Sequence, residues 1–274
     1  MNRHPFRLVC TGFHDCYYNM GLDEALLESA AAGSPPVLRL YGWSPPAVSV
    51  GYFQGLAEEV DLEAAKRRGF DVVRRISGGG AVLHKSEITY SIVMGLDHPL
   101  AEGDLGESYR RLCAGIIRGL ELLGVRAVFS GVNDVLAVMG PPGEPDVPLA
   151  GNDRFSPGDK KISGSAQTRR LGCLLQHGTV LLDNDVDEMF EVLRVPEEKI
   201  RGKLTGEAKE RVTSLRNLLG REVPFGEAEA ALIRGFSEAL GLSLEPGDPG
   251  AAGETRGREL ALSKFSARDW LFKR

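Results

Sequence analysis

The chain has 274 residues, of which 42% are hydrophobic and 26% are charged, the usual balance of a soluble protein large enough to bury one sizeable core. Its formal net charge of −5 excludes broad nucleic-acid binding, which needs many cations to neutralise phosphate groups. No segment approaches the roughly 18 consecutive apolar residues of a membrane span, and the first ten residues lack a signal-peptide pattern, so we expect a cytoplasmic protein without membrane contacts.

The first half of the chain predicts one helix followed by strands that alternate with helices. Asn19 is predicted to cap a helix over 20–32. Asp61 and Gly69 are typical of the start and the end of a short helix. Apolar residues spaced by three or four positions predict a long amphipathic helix over 105–123. Short β-branched runs bounded by Pro or Gly predict strands over 37–41, 47–52, 71–75 and 89–94.

The second half of the chain predicts further strands and two loops. Strands are expected over 162–166, 173–176 and 179–182. Pro, Gly and acidic residues predict loops over 139–148 and 245–257. We therefore expect a mixed α+β fold of largely antiparallel sheets flanked by helices. The predicted organisation is a catalytic domain over 1–245, a linker over 246–257 and a C-terminal helical segment over 258–274.

The strongest motif is RRISGGGAVLH, from Arg74 to His84. Three consecutive glycines leave a turn without side chains, so that backbone N–H groups can approach an anion or a flat acyl chain. The preceding arginines, Arg74 and Arg75, are suited to binding carboxylate or phosphate. By spacing alone, a plain glycine hairpin with solvated arginines explains the same pattern equally well.

A second motif, DKKISGSAQ, begins at Asp159 and places a lysine pair at the start of an apolar strand. A lysine that points into a cleft from a strand edge can stabilise charge that moves during acyl transfer. The small residues Gly164, Ser165 and Ala166 leave space for a ligand. A solvated surface lysine is the alternative interpretation of this motif.

Together with QHGTVLL at 176–182, these two motifs resemble the lipoate-protein ligase and octanoyltransferase family, whose fold is related to that of biotin protein ligases. The segments NMGLDEA at 19–25, YGW at 41–43 and RVTSL at 211–215 extend the resemblance over nearly the whole chain. The resemblance implies that Lys161 is catalytic and contacts carboxyl and phosphoryl oxygens. It implies a pocket for the acyl group and adenylate that is formed by Arg74, Arg75, Ser77, Gly78, Gly79, Gly80, His84, Asn133, Asp134, Gly164, Ser165, Ala166 and His177.

The Asn133–Asp134 pair resembles a pair that helps to hold metal and phosphate in the ligases, which makes Asp134 the predicted metal ligand. A rival alignment assigns this role to Asn152–Asp153. The resemblance implies ATP, Mg²⁺ and lipoate as cofactors and lipoyl-AMP as the intermediate. It implies as partner a lipoyl-domain acceptor, such as an E2 subunit or the glycine cleavage H protein, with a small accessory subunit as a further candidate.

The family contains two kinds of enzyme, and one observation favours the ligase. Cysteine-type octanoyltransferases form a thioester on a cysteine shortly before the KxxGSAQ segment, whereas residues 144–159 of this chain contain no cysteine. Cys173, in the apolar run GCLLQHG, is interpreted as a buried, unreactive thiol. We therefore expect an ATP-dependent lipoate-protein ligase of the large-subunit type. An octanoyl-carrier-protein octanoyltransferase is the alternative, and a non-catalytic lipoate-binding protein is the second alternative.

Overall fold

Two β-sheets of unequal size form the frame of the chain in the computed structural model, which describes residues 3–139, 158–194 and 211–273. The large sheet contains β1 (His4–His14), β2 (Val37–Trp43), β6 (Glu87–Gly95), β7 (Ala127–Ser130), β8 (Asp134–Ala137), β9 (Lys160–Arg170), β10 (Cys173–Leu181) and β11 (Leu242–Gly247), in the spatial order β11-β1-β2-β6-β10-β9-β8-β7. The small sheet contains β3 (Ala47–Val50), β4 (Asp71–Arg74) and β5 (Val82–His84), in the order β4-β3-β5.

Most neighbouring strands of the large sheet are antiparallel, and helices cover both of its faces. Among the described strands of this sheet, only β1 pairs in parallel with its neighbours, β2 and β11. The described α-helices are α1 (Cys16–Ala31), α2 (Leu56–Glu59), α3 (Leu62–Arg68), α4 (Leu105–Leu122), α5 (Val186–Val192), α6 (Leu215–Leu219), α7 (Phe225–Leu240), α8 (Ala251–Leu260) and α9 (Arg268–Leu271). The predicted α+β fold with largely antiparallel sheets is confirmed.

Neighbouring apolar residues of the central strands point to opposite faces and so supply two cores. Ile92 of β6 belongs to the core beneath α4 and α7, whereas Val93 belongs to the core beneath α1. The same division separates Leu174 from Leu175 in β10. Helix α4 buries Leu112, Ile116 and Leu120 completely, as its apolar spacing predicts, and a capping box between Asp104 and Glu107 starts it.

The first helix begins earlier than predicted, and Asn19 is not its cap. Asp15 caps α1, because its carboxylate accepts a hydrogen bond from Tyr18 N at 2.8 Å. Asn19 lies inside the helix, fully buried, and its amide donates to Gly42 O at 3.0 Å. A polar side chain that bonds a neighbouring strand rather than its own helix end carries no local sequence signal.

The predicted loop over 245–257 is wrong for most of its length, and with it the predicted linker. Residues 242–247 form the edge strand β11, and α8 begins at Ala251. Helix α8 packs closely on α1: a Cβ atom on Gly21 would lie 2.4 Å from Gly257 O. Gly21 in α1 and Gly257 in α8, neither of which has a side chain, allow this close helix contact. Among the described residues, no helix is long and apolar enough to cross a membrane.

Candidate active site

Arg75 holds the shape of the glycine turn that joins β4 to β5. Its Nη2 donates to Gly78 O and to Gly80 O, both at 2.7 Å, and its Nη1 donates to Ser49 Oγ at 3.0 Å. Its Nε also donates to Gly78 O, at 3.2 Å. Burial lowers the pKa of Arg75 to about 10, so that the side chain stays charged near neutral pH. The guanidinium therefore binds the carbonyl groups of the turn and does not present free donors to a ligand.

The turn itself has a surface without side chains. Gly79 has a φ of +89°, a conformation that favours glycine, and a Cβ atom there would lie 3.0 Å from Arg75 Nη2. Cβ atoms on Gly78 and Gly80 would meet no atom within 4 Å. The motif thus leaves open space beside the backbone, as the sequence predicts.

A cavity of about 300 Å³ lies between this turn and strands β9 and β10, at the lower end of the size range of small-molecule sites. The predicted site residues that line it are Arg75, Gly79, Gly80, His84, Asn133, Lys161, Gly164, Ser165, Ala166 and His177. Arg74, Ser77, Gly78 and Asp134 are not among its lining residues. The two sequence motifs therefore face each other across one cavity.

Large apolar and aromatic side chains form a wall of the cavity that the sequence analysis did not assign to the site. This wall includes Met20, Tyr41, Trp43, Leu83, Leu181, Met189 and Leu193. The ring of Trp43 stacks on the His84 ring, with centroids 3.8 Å apart and planes 14° apart. Trp43 lies at the end of a strand, four residues before the apolar run that begins at Ala47, but only the fold shows which side of the strand it occupies.

Lys161 lies on β9 beside a carboxylate of the neighbouring strand β8. Its Nζ is 2.7 Å from Asp134 Oδ1, in an ion pair whose geometry falls outside a directed hydrogen bond. The Lys161 side chain keeps 39% of its exposure. A Cβ atom on Gly164 would lie 2.9 Å from Lys161 Nζ. The glycine therefore provides the space in which the ammonium group reaches the cavity.

Asn133 fixes the backbone of β9 next to the cavity. Its Nδ2 donates to Ser165 O at 2.5 Å, and Ser165 N donates back to Asn133 O at 3.0 Å. The Ser165 hydroxyl forms a hydrogen bond with Tyr90 OH at 2.9 Å. Asn133 thus lies at the site, with its amide nitrogen engaged by the strand. The rival pair Asn152–Asp153 lies outside the described residues.

A buried polar chain connects the glycine turn to helix α1. Ser77 Oγ is 2.6 Å from His177 Nε2, and His177 Nδ1 is 3.0 Å from Asp23 Oδ2. Asp23 also accepts from Arg39 at 2.7 Å and from Tyr41 OH at 2.9 Å. Ser77 is completely buried, so it supports the turn from behind the cavity. Sequence reasoning assigned no role to Asp23, although it lies in the NMGLDEA segment, and none to Arg39.

The electrostatics of this row of buried polar side chains favour a neutral histidine, His177, next to an ionised carboxylate, Asp23. Burial lowers the pKa of His177, although the hydrogen bond to Asp23 partly opposes this effect. Burial alone would raise the pKa of Asp23, but the hydrogen bond from His177 and the charge of Arg39 bring it below its usual value. His177 Nδ1–H is then the donor to Asp23, and Nε2 accepts from Ser77.

His84 lines the cavity with both ring nitrogens engaged. Nε2 is 2.7 Å from Ser49 Oγ, and Nδ1 is 2.5 Å from Glu87 Oε1. Thr89 donates to the same Glu87 oxygen at 2.8 Å and accepts from the Trp43 indole at 2.7 Å. His84 therefore presents the side of a fixed ring to the cavity.

Arg74 lies outside the cavity, contrary to the prediction. It is completely buried, and its guanidinium donates to Gly51 O at 2.8 Å, Gln54 O at 2.7 Å and Leu271 O at 2.8 Å. Successive residues of an extended chain point in opposite directions, so Arg74 and Arg75 cannot both face one cavity.

The described lining fits an acyl chain better than it fits a bare metal ion. Its cationic side chains are Arg75, whose donors are engaged, and Lys161. Among the residues that the structure describes, no three His, Cys, Asp or Glu side chains are grouped so as to hold a metal ion. Asp134 is a single carboxylate already paired with Lys161. A Mg²⁺ ion at Asp134 would need most of its ligands from phosphate groups and water.

No cysteine lines this cavity within the described part of the chain. Cys16, Cys113 and Cys173 are buried, and Cys10 is exposed elsewhere. Burial raises the pKa of Cys113 to about 12 and also raises the pKa of Cys173. Neither thiol has the low pKa of a reactive cysteine, as expected for Cys173.

The fold and this cavity define a protein of the class that handles lipoyl groups: residues 15–237 match the family described as lipoyl protein ligase A/B catalytic domain, and the chain belongs to that family. Similar full-length proteins carry the name octanoyltransferase LipM. The one from Kyrpidia tusciae is 41% identical, with 98% of this chain and 99% of that protein aligned. The one from Bacillus subtilis is 34% identical, with both chains covered completely.

Solved structures of lipoate-protein ligases share the fold. The bi-partite ligase from Thermoplasma acidophilum, described with its E2 lipoyl domain, is 32% identical and gives a TM-score of 0.81 over 98% of this chain and 96% of that one. A lipoate-protein ligase A bound with ATP is 29% identical and gives a TM-score of 0.79 over 98% of each chain. Transfer of lipoyl or octanoyl groups is thereby supported for this chain at the level of the family.

Proposed function

We propose that this chain transfers an octanoyl group from a thioester-linked carrier to a lysine of a lipoyl domain. The observation that carries the proposal is the apolar cavity in which the side-chain-free turn and the aromatic wall meet the Lys161 ammonium group. An eight-carbon chain would pack against the turn and the wall, and its carbonyl group would lie next to Lys161. The name of the relatives, octanoyltransferase LipM, supports this choice of acyl group.

The chemistry assigned to Lys161 is stabilisation of the negative charge that develops on the carbonyl oxygen. The acceptor amine attacks the carbonyl carbon, the C–N bond forms and the C–S bond breaks. The thiol of the carrier leaves with the proton that the attacking amine releases. The proposed transfer is direct, without an acyl-cysteine, because the cavity lining described above contains no thiol.

The charges around the cavity also suit a neutral thioester. With the Arg75 donors taken up by the turn, Lys161 is the available cation of the described lining. A thioester needs one donor at its carbonyl oxygen, whereas a triphosphate needs several cations to balance its charge. This difference favours the carrier-bound donor.

One observation favours a second candidate, the ATP-dependent lipoate-protein ligase. The chain has no cysteine over residues 144–159, shortly before the KxxGSAQ segment, where the resemblance implies that a cysteine-type transferase carries its nucleophile. An adenylate needs no such thiol. In that case Lys161 would contact the carboxyl and phosphoryl oxygens of lipoyl-AMP, with Asn133 and Asp134 close by to hold phosphate and Mg²⁺.

The proposed acceptor is a lipoyl domain, such as that of an E2 subunit or the glycine cleavage H protein. The Thermoplasma acidophilum relative is described with its E2 lipoyl domain, which supports the first of these. A separate accessory subunit belongs to the ligase alternative. The proposed compartment is the cytoplasm, where thiols stay reduced, and the four cysteines of this chain are all free.

Two parallel assays on one purified protein distinguish these functions. In the first, octanoyl carrier protein is supplied without ATP; in the second, octanoate or lipoate is supplied with ATP and Mg²⁺. We expect the mass of a lipoyl-domain acceptor to increase by one octanoyl group in the first assay. Modification in the second assay alone would establish the ligase. Lipoate binding without modification in either assay would establish a non-catalytic binding protein.

The intact mass of the enzyme tests whether transfer is direct. We expect no octanoyl adduct after incubation with the donor alone, and we expect Cys113→Ser and Cys173→Ser variants to keep their activity because both thiols are buried. An adduct that disappears in the Cys173→Ser variant would contradict direct transfer.

A further inference from the structure

The C-terminal residues beyond the matched family region contact the strand that leads into the glycine turn. The family match ends at residue 237, and α9 lies more than thirty residues further along the chain. Trp270 Nε1 donates to Arg74 O at 2.8 Å. Leu271 O accepts from Arg74 Nε at 3.0 Å and from Nη2 at 2.8 Å. Lys273 Nζ donates to Tyr52 OH at 3.1 Å. The C-terminal segment therefore forms hydrogen bonds with the end of β4, at Arg74, and with the loop after β3, at Tyr52.

Arg74 links this segment to the loop after β3. Its Nη1 donates to Gly51 O at 2.8 Å and to Gln54 O at 2.7 Å, while Nε and Nη2 reach the C-terminal helix. The side chain is completely buried, and burial lowers its pKa. Backbone carbonyl groups thus hold a buried cation. Loss of Leu271 would leave two of its nitrogens without the partner that they have in the intact chain.

The loop after β3 in turn packs on the glycine turn. Tyr52 N donates to Ser77 O at 2.8 Å, and Arg75 N donates to Val50 O at 3.0 Å. A Cβ atom on Gly51 would lie only 2.1 Å from Gly79 O, so that the two backbones are in direct contact. A displacement of this loop must therefore change the position of the turn that lines the cavity.

We propose that residues 268–273 position the glycine turn through Arg74, and that this segment thereby sets how tightly the cavity encloses an acyl chain. The inference rests on the proposed acyl transfer for its substrate class. Arg74 is a positioning residue, because it touches the loop and the C-terminal helix and does not line the cavity.

The test compares acyl-chain selectivity in three variants. Deletion of residues 268–274 removes the whole contact, and Trp270→Phe removes one hydrogen bond while keeping an aromatic ring. Leu262→Ala, at a site that is 79% exposed and lies shortly before this segment, is the matched control. We measure kcat and KM for butanoyl, octanoyl and dodecanoyl donors, using whichever activated form the wild-type protein accepts.

We expect the deletion to raise KM for the octanoyl donor at least 10-fold and to reduce the preference for octanoyl over the other two chain lengths. Trp270→Phe should change both quantities in the same direction by about 3-fold, and Leu262→Ala should change neither. A folded deletion variant with wild-type chain-length selectivity would overturn the inference. If the deletion variant does not fold, wild-type selectivity in Trp270→Phe overturns it in the same way.

Hydrogen exchange keeps this inference separate from the proposed function. If the wild-type protein transfers no acyl group from any donor, the proposed function fails. The hydrogen-exchange rates of the amides of residues 77–80 still decide whether the C-terminal segment positions the turn. These amides should exchange at least 10-fold faster in Trp270→Phe than in Leu262→Ala. Equal rates in the two variants would reject the role of the C-terminal segment.

Discussion

Lys161 and its neighbour Lys160 provide a matched pair for testing catalysis at the level of single residues. Lys161→Ala should lower kcat about 100- to 1,000-fold, the usual loss when one donor to a developing oxyanion is removed. The unfolding midpoint should change little, because the Lys161 side chain is partly exposed and fills no core volume. Lys160→Ala, which removes an equal charge from the opposite face of the strand, should keep nearly full activity in the same assay. Equal losses in both variants would reject the assigned role.

Gly80 allows the open space over the turn to be tested without straining the backbone. Gly80→Val should raise KM for the octanoyl donor at least 10-fold, because the new side chain enters space that is empty in this structure. Its unfolding midpoint should stay near that of the wild type. Gly79→Val should lose activity and also stability, by about 1 to 3 kcal/mol, because Gly79 has a positive φ. Unchanged octanoyl affinity in Gly80→Val would place the acyl chain elsewhere.

The sequence identified many residues of the cavity, but it could not show which way their side chains point. The glycines and Lys161 were recognised because their residue types limit what they can do: a glycine leaves space, and a lysine at a strand edge carries charge. Arg74 and Arg75 have the same type and adjacent positions, and only the pairing of β4 decides which one faces the turn. Trp43 and Asp23 lie in segments that carry the family resemblance, but only tertiary packing brings their side chains to the site.

At the level of elements, hydrogen bonds between Asp23, His177 and Ser77 join α1, β10 and the glycine turn. The titration of His177 and Asp23 predicts that the folded state loses stability in acid. The folded state lowers the pKa of His177 from 6.5, so the unfolded chain binds this proton more readily. The stabilising contribution is complete above pH 6.5 and decreases as the pH falls toward the folded-state pKa. The lowered pKa of Asp23 adds a loss in the same direction at more acidic pH.

Urea unfolding between pH 7.5 and 5 checks this expectation. The free energy of unfolding of the wild type should fall over this range, and His177→Gln should show a shallower decline although it is less stable at pH 7.5. Burial also lowers the pKa of His14 and His98, so only the difference between the two proteins reports on His177. Parallel curves for the two proteins would contradict the prediction.

The elements that the sequence predicted well are those whose stability is mainly local. Helix α3 has its own cap at Asp61 and a left-handed end at Gly69, and both were recognised. Strand β1 was missed because its mixed sequence, HPFRLVCTGFH, lacks regular alternation and is ordered by pairing with β2 and β11. Helix α8 was missed because its glycines favour a loop locally, and its contact with α1 outweighs that preference.

For the whole molecule, the limited size of the cavity predicts a preference for one acyl length. Replacing octanoyl by butanoyl removes four methylene groups, which at about 0.8 kcal/mol each corresponds to about 3 kcal/mol of lost binding. We therefore expect kcat/KM to fall about 100-fold for the butanoyl donor. A dodecanoyl chain should also react more slowly, since the cavity has a volume of only about 300 Å³. Equal kcat/KM values from four to twelve carbons would show that the cavity does not select the chain.

The hydrogen bonds from Arg75 to carbonyl groups of its own turn also affect the entropy of binding. Because Gly78 and Gly80 are tied to a buried guanidinium, the backbone that meets the ligand is already ordered. An acyl chain that binds then loses its own rotational freedom, whereas the protein loses little conformational entropy. Such a preorganised groove is expected to capture flexible chains at a lower cost than a loop that must first become ordered around them.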